Sequence, residues 1–253
     1  MITGLIRIIP VQIFGIYALY LLLTNQYSVW NILSIFVGYF CIMMLGVSAC
    51  YHRMLSHKSF SVNPVLKKIM LWFSALSNQG SPIFWVMIHR GYHHRYSDTD
   101  KDPHSPIHGF WHSYILWMFK LKEGDHNVKY VVDLLKDKDV LFFHKYYNWI
   151  IWMSHFTLAI INFEFWLFTI MLPAFLTLHS FAIQTSLNHS KKYGYKNYET
   201  RDDSVNVIWL WPLILGEAWH NNHHGEAGEA DFGGRKWWEI DPTYYVIKLI
   251  RVS

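Results

Sequence analysis

Apolar positions along this chain gather into long unbroken runs rather than the alternation of a half-buried strand or the one-sided stripe of a water-facing helix. Residues 8–23 and 30–50 are each close to the length that crosses a ~30 Å hydrocarbon core, and the uncharged TNQYSV lies between them. They predict a helical hairpin. A second hairpin is cut from the 44-residue stretch 146–189, which holds one acidic residue and no lysine or arginine, with NFE (162–164) as its turn. Its spans are placed at 146–162 and 165–188. Two polar, histidine-rich segments, 51–145 and 190–253, lie outside the runs. The pattern predicts an all-α integral membrane protein, with four transmembrane helices in two hairpins and one helical cap. Nothing in the chain marks a second domain, so 1–253 reads as a single unit.

Charge placement tests that topology independently. Of the 22 lysines and arginines, 13 fall in 51–145, 8 in 190–253, and Arg7 stands at the start of the first run. Neither hairpin turn carries one. Positive charge marks the cytoplasmic side, so the histidine-rich segments and both termini are expected there. The stretch 67–90 is apolar but interrupted by SNQGSP, and is expected to lie in or under the interface rather than to cross. The N-terminal run lacks a small-residue cleavage site and reads as a retained span.

Composition strengthens the membrane reading. Aromatics make up 18% of the chain, with 13 Trp and 16 Tyr, side chains suited to an apolar body with a wet tip. A net charge of +4, spread along the chain, argues against a nucleic-acid partner. Cys41 and Cys50 lie in one apolar run, about 13 Å apart on a helix, which excludes a disulfide between them. No cysteine-based metal site is available either.

The 16 histidines are the chemical signal. YHRMLSH (51–57), IHRGYHH (88–94) and EAWHNNHH (217–224) crowd eight of them into three groups at the ends of apolar segments, and His189 follows the last span. As separate core residues these would pose as many burial problems, which a shared metal centre solves together. On an ideal α-helix His220, His223 and His224 fall within about a third of the circumference and would face one site. His52 and His57 would stand about 140° apart, while His89 and His93 would share a face and His94 would point away, an arrangement suited to two different ions or to a distorted helix. Nine imidazoles exceed the four ligands of one structural zinc, so two metals fit better. Imidazole alone leaves zinc, copper, iron and nickel open.

The order H-x-x-x-x-H, H-x-x-x-H-H, H-x-x-H-H, with a hydrophobic pair before the first box and another before the last, resembles the membrane-bound fatty acid desaturases. YHRMLSHKSF (51–60), HHRYSDTDKDPHSP (93–106), GFWHSYILW (109–117), GEAWHNNHH (216–224) and WWEIDPTYY (237–245) are similar to the bacterial and cyanobacterial acyl desaturases of the stearoyl-CoA desaturase type. The resemblance covers about 45–250. It implies an O2-dependent enzyme that puts a double bond into an acyl chain carried on CoA, acyl carrier protein or lipid. Two non-haem irons would be held by His52, His57, His89, His93, His94, His189, His220, His223 and His224. It further implies a separate electron donor, such as a ferredoxin or a small cytochrome with its reductase, and a bacterial inner or cyanobacterial membrane with the active site on the cytoplasmic face. A hydroxylase or acetylenase of the same chemistry is the enzymatic alternative, and a bis-imidazole haem electron carrier the alternative of another class.

Three departures from the resemblance stand out. Arg90 occupies the position three before His93, with the histidine one earlier at His89. Thr185 stands four before His189, where the family commonly has Asn, and Asn188 is adjacent instead. GEAGEADFGG (225–234) lacks the usual proline-containing turn. Asp98, Asp102, Glu217, Thr185 and Asn188 are candidates to orient ligand imidazoles, directly or through water. His104, His108 and His112 recur every four residues, but Pro103, Pro106 and Gly109 break the helix that would align them. His155 and His179 read as polar contacts between spans, and Trp237 and Trp238, beside Arg235 and Lys236, as an interface anchor or a contact for an anionic head group.

Overall fold

The computed structural model describes residues 2–25, 27–121 and 127–252, so residues 122–126 of the expected cap, and both chain ends of the expected single domain, lie outside the described residues. Helix accounts for its architecture, and the described residues contain two isolated β-bridges, Tyr195 with Asn206 and Asn206 with Trp219, but no strand ladder. We number the main helices α1 (Ile2–Thr24), α2 (Val29–His57), α3 (Pro64–Leu76), α4 (82–96), α5 (112–120), α6 (Lys138–Lys145), α7 (Tyr147–Ile161), α8 (Phe163–Leu187), α9 (Ile208–Ala218), α10 (His220–Gly225) and α11 (Pro242–Ile250).

Three segments are long and apolar enough to cross a bilayer: Arg7–Thr24, Val29–His57 and Phe163–Leu187. They pack on one another, α1 and α2 each against α8. Gly38 allows the α2–α8 crossing, because a Cβ there would lie 1.9 Å from the Thr169 carbonyl oxygen. The outward sides of this bundle stay apolar, as Trp30 at 75% and Phe36 at 67% exposure show, the opposite of a helix meant for water. Helix α7 holds 15 residues, or ~22 Å of helix, which is short of the ~30 Å core. It meets α8 at Asn162, whose side chain accepts from the Phe165 amide, so the turn expected at 162–164 is where the chain reverses.

Helix α2 runs on beyond the bundle, and its second half, Phe40–His57, winds in the wider i→i+5 pattern. Against this extension lies α3, close enough that a Cβ on Gly46 would meet the Ser74 amide at 2.8 Å. The chain then reverses through SNQGSP, with Asn78 and Gly80 at positive φ, and returns as α4 beside α2. The interruption expected to keep 67–90 from crossing is thus the turn of a short hairpin. Tyr51 hydroxyl donates to the Gly80 carbonyl at 3.1 Å and fixes that turn to α2. On the other side, α9 to α11 fold back over the end of α8 around Trp219, Phe232 and Val207, all buried.

Candidate metal centre

Every histidine of the three boxes, with His189, reaches one layer at the end of the bundle. They form two groups: His52, His57, His89, His94 and His223, and His93, His189, His220 and His224, with the ligand atoms of each within 4.8 Å of one another. The boxes do not map one to a site. In an i→i+5 helix, residues five apart stack, so His52 and His57 come together on α2, and on α4 His89 meets His94, the residue that caps the i→i+5 stretch Met87–His93. That reverses the α-helical expectation for the second box, in which His89 paired with His93. The third box splits as well. On α10, an ordinary α-helix, His220 and His224 share a face at i, i+4, and His223 turns to the other group.

Ring nitrogens converge within each group. His52 Nε2 lies 2.9 Å from His223 Nε2, His94 Nε2 is 2.9 Å from His223 Nε2 and 3.1 Å from His89 Nε2, and His57 Nε2 is 3.0 Å from His89 Nε2. In the second group His189 Nε2 stands 3.1 Å from His93 Nε2 and 2.9 Å from His220 Nε2. Two nitrogens ~2.1 Å from a common cation and at right angles stand ~3.0 Å apart, so the spacing fits imidazoles sharing one ion. His224 Nε2, buried without a hydrogen-bond partner, is a lone donor atom of the kind a metal satisfies. The same closeness leaves no space for a porphyrin plane between facing imidazoles, which removes the haem-carrier alternative.

Carboxylates orient the rings from behind. His52 Nδ1 donates to Glu217 at 2.8 Å, His93 Nδ1 to Asp102 at 2.9 Å, His189 Nδ1 to Asp98 at 3.1 Å, and His224 Nδ1 to Asp202 at 2.7 Å. Holding the proton on Nδ1 leaves the Nε2 lone pair free for a metal. Asp98, Asp102 and Glu217 are among the acceptors named from the sequence, each now within hydrogen-bond distance of a ring nitrogen. Asp202 and Gln184, the latter 3.0 Å from His220 Nδ1, also reach ring nitrogens, without having been singled out. Thr185 donates to the Ala182 carbonyl at 3.0 Å, and Asn188 ties the Val205 and Ala218 carbonyls together, so both serve the backbone.

Burial drives the His89, His94, His220 and His223 imidazoles well below their usual range and His224 to about 4, keeping them neutral as ligands must be. Burial also pulls His189 down, but its hydrogen bond and charge contact with Asp98 outweigh it and leave that ring raised. Asp102 and Asp202 are pushed up by burial and held well below the carboxylate range by the histidines they face.

Among the described residues, the other histidines stay outside these two groups. His104 packs on His93 and shares Asp102 with it, at 3.4 Å, while His108 faces Asp100 at 3.5 Å and His112 donates to the Pro103 carbonyl at 3.0 Å. His155 sits between Asn78 and Trp166, and His179 between Tyr114 and Gln12, as expected of contacts between helices. Trp237 is 88% exposed, whereas Trp238 donates to the Tyr195 hydroxyl.

A cavity opens onto both groups. His52, His89, His93 and His220 form its metal-side wall, and Phe84, Trp85, Ile88, Met118, Leu178 and Phe181 give it an apolar lining. Such a site takes a long apolar ligand and brings it against the imidazole layer.

A family model of the fatty acid desaturases matches residues 13–248. The chain is 34% identical over 235 residues to Delta-9 acyl-lipid desaturase 2 of Arabidopsis thaliana, covering 91% of this chain and 75% of that protein. It is 34% identical over 254 residues to the sn-2 palmitoyl-lipid 9-desaturase of Nostoc sp. (strain 36), covering 97% and 87%. With the acyl-CoA C20 Delta5-desaturase of Anemone leveillei it shares 32% over 240 residues, covering 93% and 76%. The chain belongs to the fatty acid desaturase family and is an oxidoreductase acting on acyl chains.

Proposed function

We propose that this chain is an O2-dependent desaturase that removes two hydrogens from adjacent methylenes of an acyl chain carried on lipid, CoA or carrier protein. One observation carries the reading: a single apolar cavity ends on two histidine groups that together offer nine imidazole nitrogens. Two irons held by His52, His57, His89, His94 and His223, and by His93, His189, His220 and His224, would supply the O2-activating chemistry that breaking a strong C–H bond requires and that zinc lacks. The side chains have the remaining tasks. Glu217, Asp98, Asp102 and Asp202 fix the ring tautomers. Trp85, 5.0 Å from His89, and Phe232, 4.2 Å from His223, keep water from the imidazole layer. Phe181 and Leu178 line the cavity and would flank the acyl chain beside the layer.

The same reading gives the chain one desaturase domain with four membrane spans in two hairpins, α7 entering obliquely as the third, and it puts the histidine layer and both termini on the cytoplasmic side, supported by the clustering of lysine and arginine around that layer. Electrons would come from a separate donor. Purified protein, assayed for metal and then given palmitoyl-lipid, palmitoyl-CoA and palmitoyl-carrier-protein with reductant and O2, is expected to hold two irons and yield a product lighter by two hydrogens. A product heavier by one oxygen would make it a hydroxylase, one lighter by four hydrogens an acetylenase, and no turnover after iron reconstitution would overturn the reading.

A further inference from the structure

The residue after His52 is an arginine with no access to water. Arg53 Nη1 donates to Glu217 Oε1 at 2.6 Å, Nη2 to Asp241 Oδ2 at 2.8 Å, and Nε to the Ala230 carbonyl at 3.0 Å, while Phe232 lies 3.7 Å beneath the guanidinium. The other oxygen of Glu217 is the one that holds His52 Nδ1. A continuous buried chain therefore runs from Asp241 through Arg53 and Glu217 to His52.

Its charges do not cancel. Two carboxylates face one guanidinium in a dry interior, and an uncompensated buried charge is strongly unfavourable. A dication at the His52 group would offset the excess. Asp241 has a second task as well: it caps α11 by accepting from the Tyr244 amide at 3.2 Å, and it accepts from the Phe232 amide at 3.0 Å. Gly216 lets it sit so close, since a Cβ there would fall 1.9 Å from Asp241 Oδ1.

We propose that Arg53 is a positioning residue which, through Glu217 and Asp241, couples metal occupancy of the His52 group to the seating of the C-terminal segment 231–250. The proposal rests on the dimetal reading above. Coupling of this kind is reciprocal: whatever Asp241 and Arg53 contribute to metal affinity, the metal returns to α11. The four-histidine group has no such tie to Arg53, so the effect belongs to one metal of the two.

Amide exchange on the wild-type protein in detergent, stripped by chelator and then loaded with zinc as a redox-silent probe, tests the link without a variant. Exchange across 231–250 is expected to slow by about tenfold or more on loading, with α7 as the unaffected control. In parallel, Arg53→Lys and Asp241→Asn are expected to release one of two zincs to a chelator about 10–100-fold faster, with the other unchanged. Equal exchange with and without metal, or release of both zincs at wild-type rates from both variants, overturns the inference alone. A wild-type chain that holds no metal overturns the dimetal reading and this inference with it.

Discussion

The two histidine groups share a wall of one cavity yet are surrounded differently. Behind the five-histidine group stands one carboxylate on a ring nitrogen, Glu217, and a guanidinium takes half of its charge. Behind the four-histidine group stand three, Asp98, Asp102 and Asp202, whose ion pairs among the described residues are all with histidine. One group is thus rich in neutral donors and, with Asp241 counted against the same guanidinium, has an excess of one carboxylate, while the other is poorer in donors and more negative. Electrostatics then makes the four-histidine group the stronger holder of a highly charged cation and the five-histidine group the one that relies on imidazole number.

The largest effects should come from removing one ligand on each side. His223→Ala and His220→Ala are each expected to lose one of two bound metals and to cut turnover by more than the about 10–100-fold that loss of an outer partner costs. The contrast lies in what remains. The metal kept by His223→Ala, in the four-histidine group, should leave to a chelator more slowly than the one kept by His220→Ala, and the reverse order of release would break the comparison.

A smaller effect is expected from pH acting on the metal-free chain. His89, His94, His220 and His223 are held neutral by burial, and His224 and His104 are brought to about 4 by the same cause. Each folded pKa is depressed below the unfolded value near 6.5. Unfolding therefore takes up protons as pH falls, and the stability present above about 6.5 is lost progressively towards 4, at up to about 1.4 kcal/mol per pH unit for each proton. His189, raised by Asp98 against the pull of burial, has the opposite sign: its contribution is complete below about 6.5 and fades as pH rises through its raised value. Denaturation of the stripped protein at pH 7, 6 and 5 should show the midpoint falling at each step, and a midpoint that rises on acidification would show that groups of the His189 kind dominate.

How much of this was legible beforehand depends on which physics the sequence displays. Hydropathy displays the apolar runs 8–23, 30–50 and 165–188 plainly, and α1, α2 and α8 overlap them, with α2 running on to His57. The clustering of nine histidines was equally visible, because spacing and box order are sequence properties. Their division between two groups was not, since it depends on α2 and α4 winding at i→i+5, and no residue in FCIMMLGVSACYHRMLSH announces that. Asp202 was hidden for a different reason: it sits in an irregular stretch 22 residues before the histidine it holds, where no periodicity links the two. Arg53 looked like one more cytoplasmic cation, and only the fold shows it shut away from water.

The smallest expected effect concerns Thr185, which stands where the family commonly has an asparagine. Its hydroxyl donates to the Ala182 carbonyl within the same helix at 3.0 Å, with the Ser113 carbonyl a weak second acceptor at 3.5 Å. A hydroxyl engaged in that way has its proton committed to backbone, and the residue beside it, Gln184, is the one against His220. Thr185→Ala then removes one ordinary hydrogen bond, worth about 0.5–1.5 kcal/mol of stability, and should leave both metals in place with turnover within about twofold of wild type. Thr185→Asn puts an amide where the family has one, and the four-histidine group, short of a donor relative to its neighbour, is where that amide would register, as slower metal release. Should Thr185→Ala instead lose activity more than tenfold with its metals intact, the hydroxyl acts on the reacting face of the cavity, and the contrast between the groups would extend to how each meets the acyl chain.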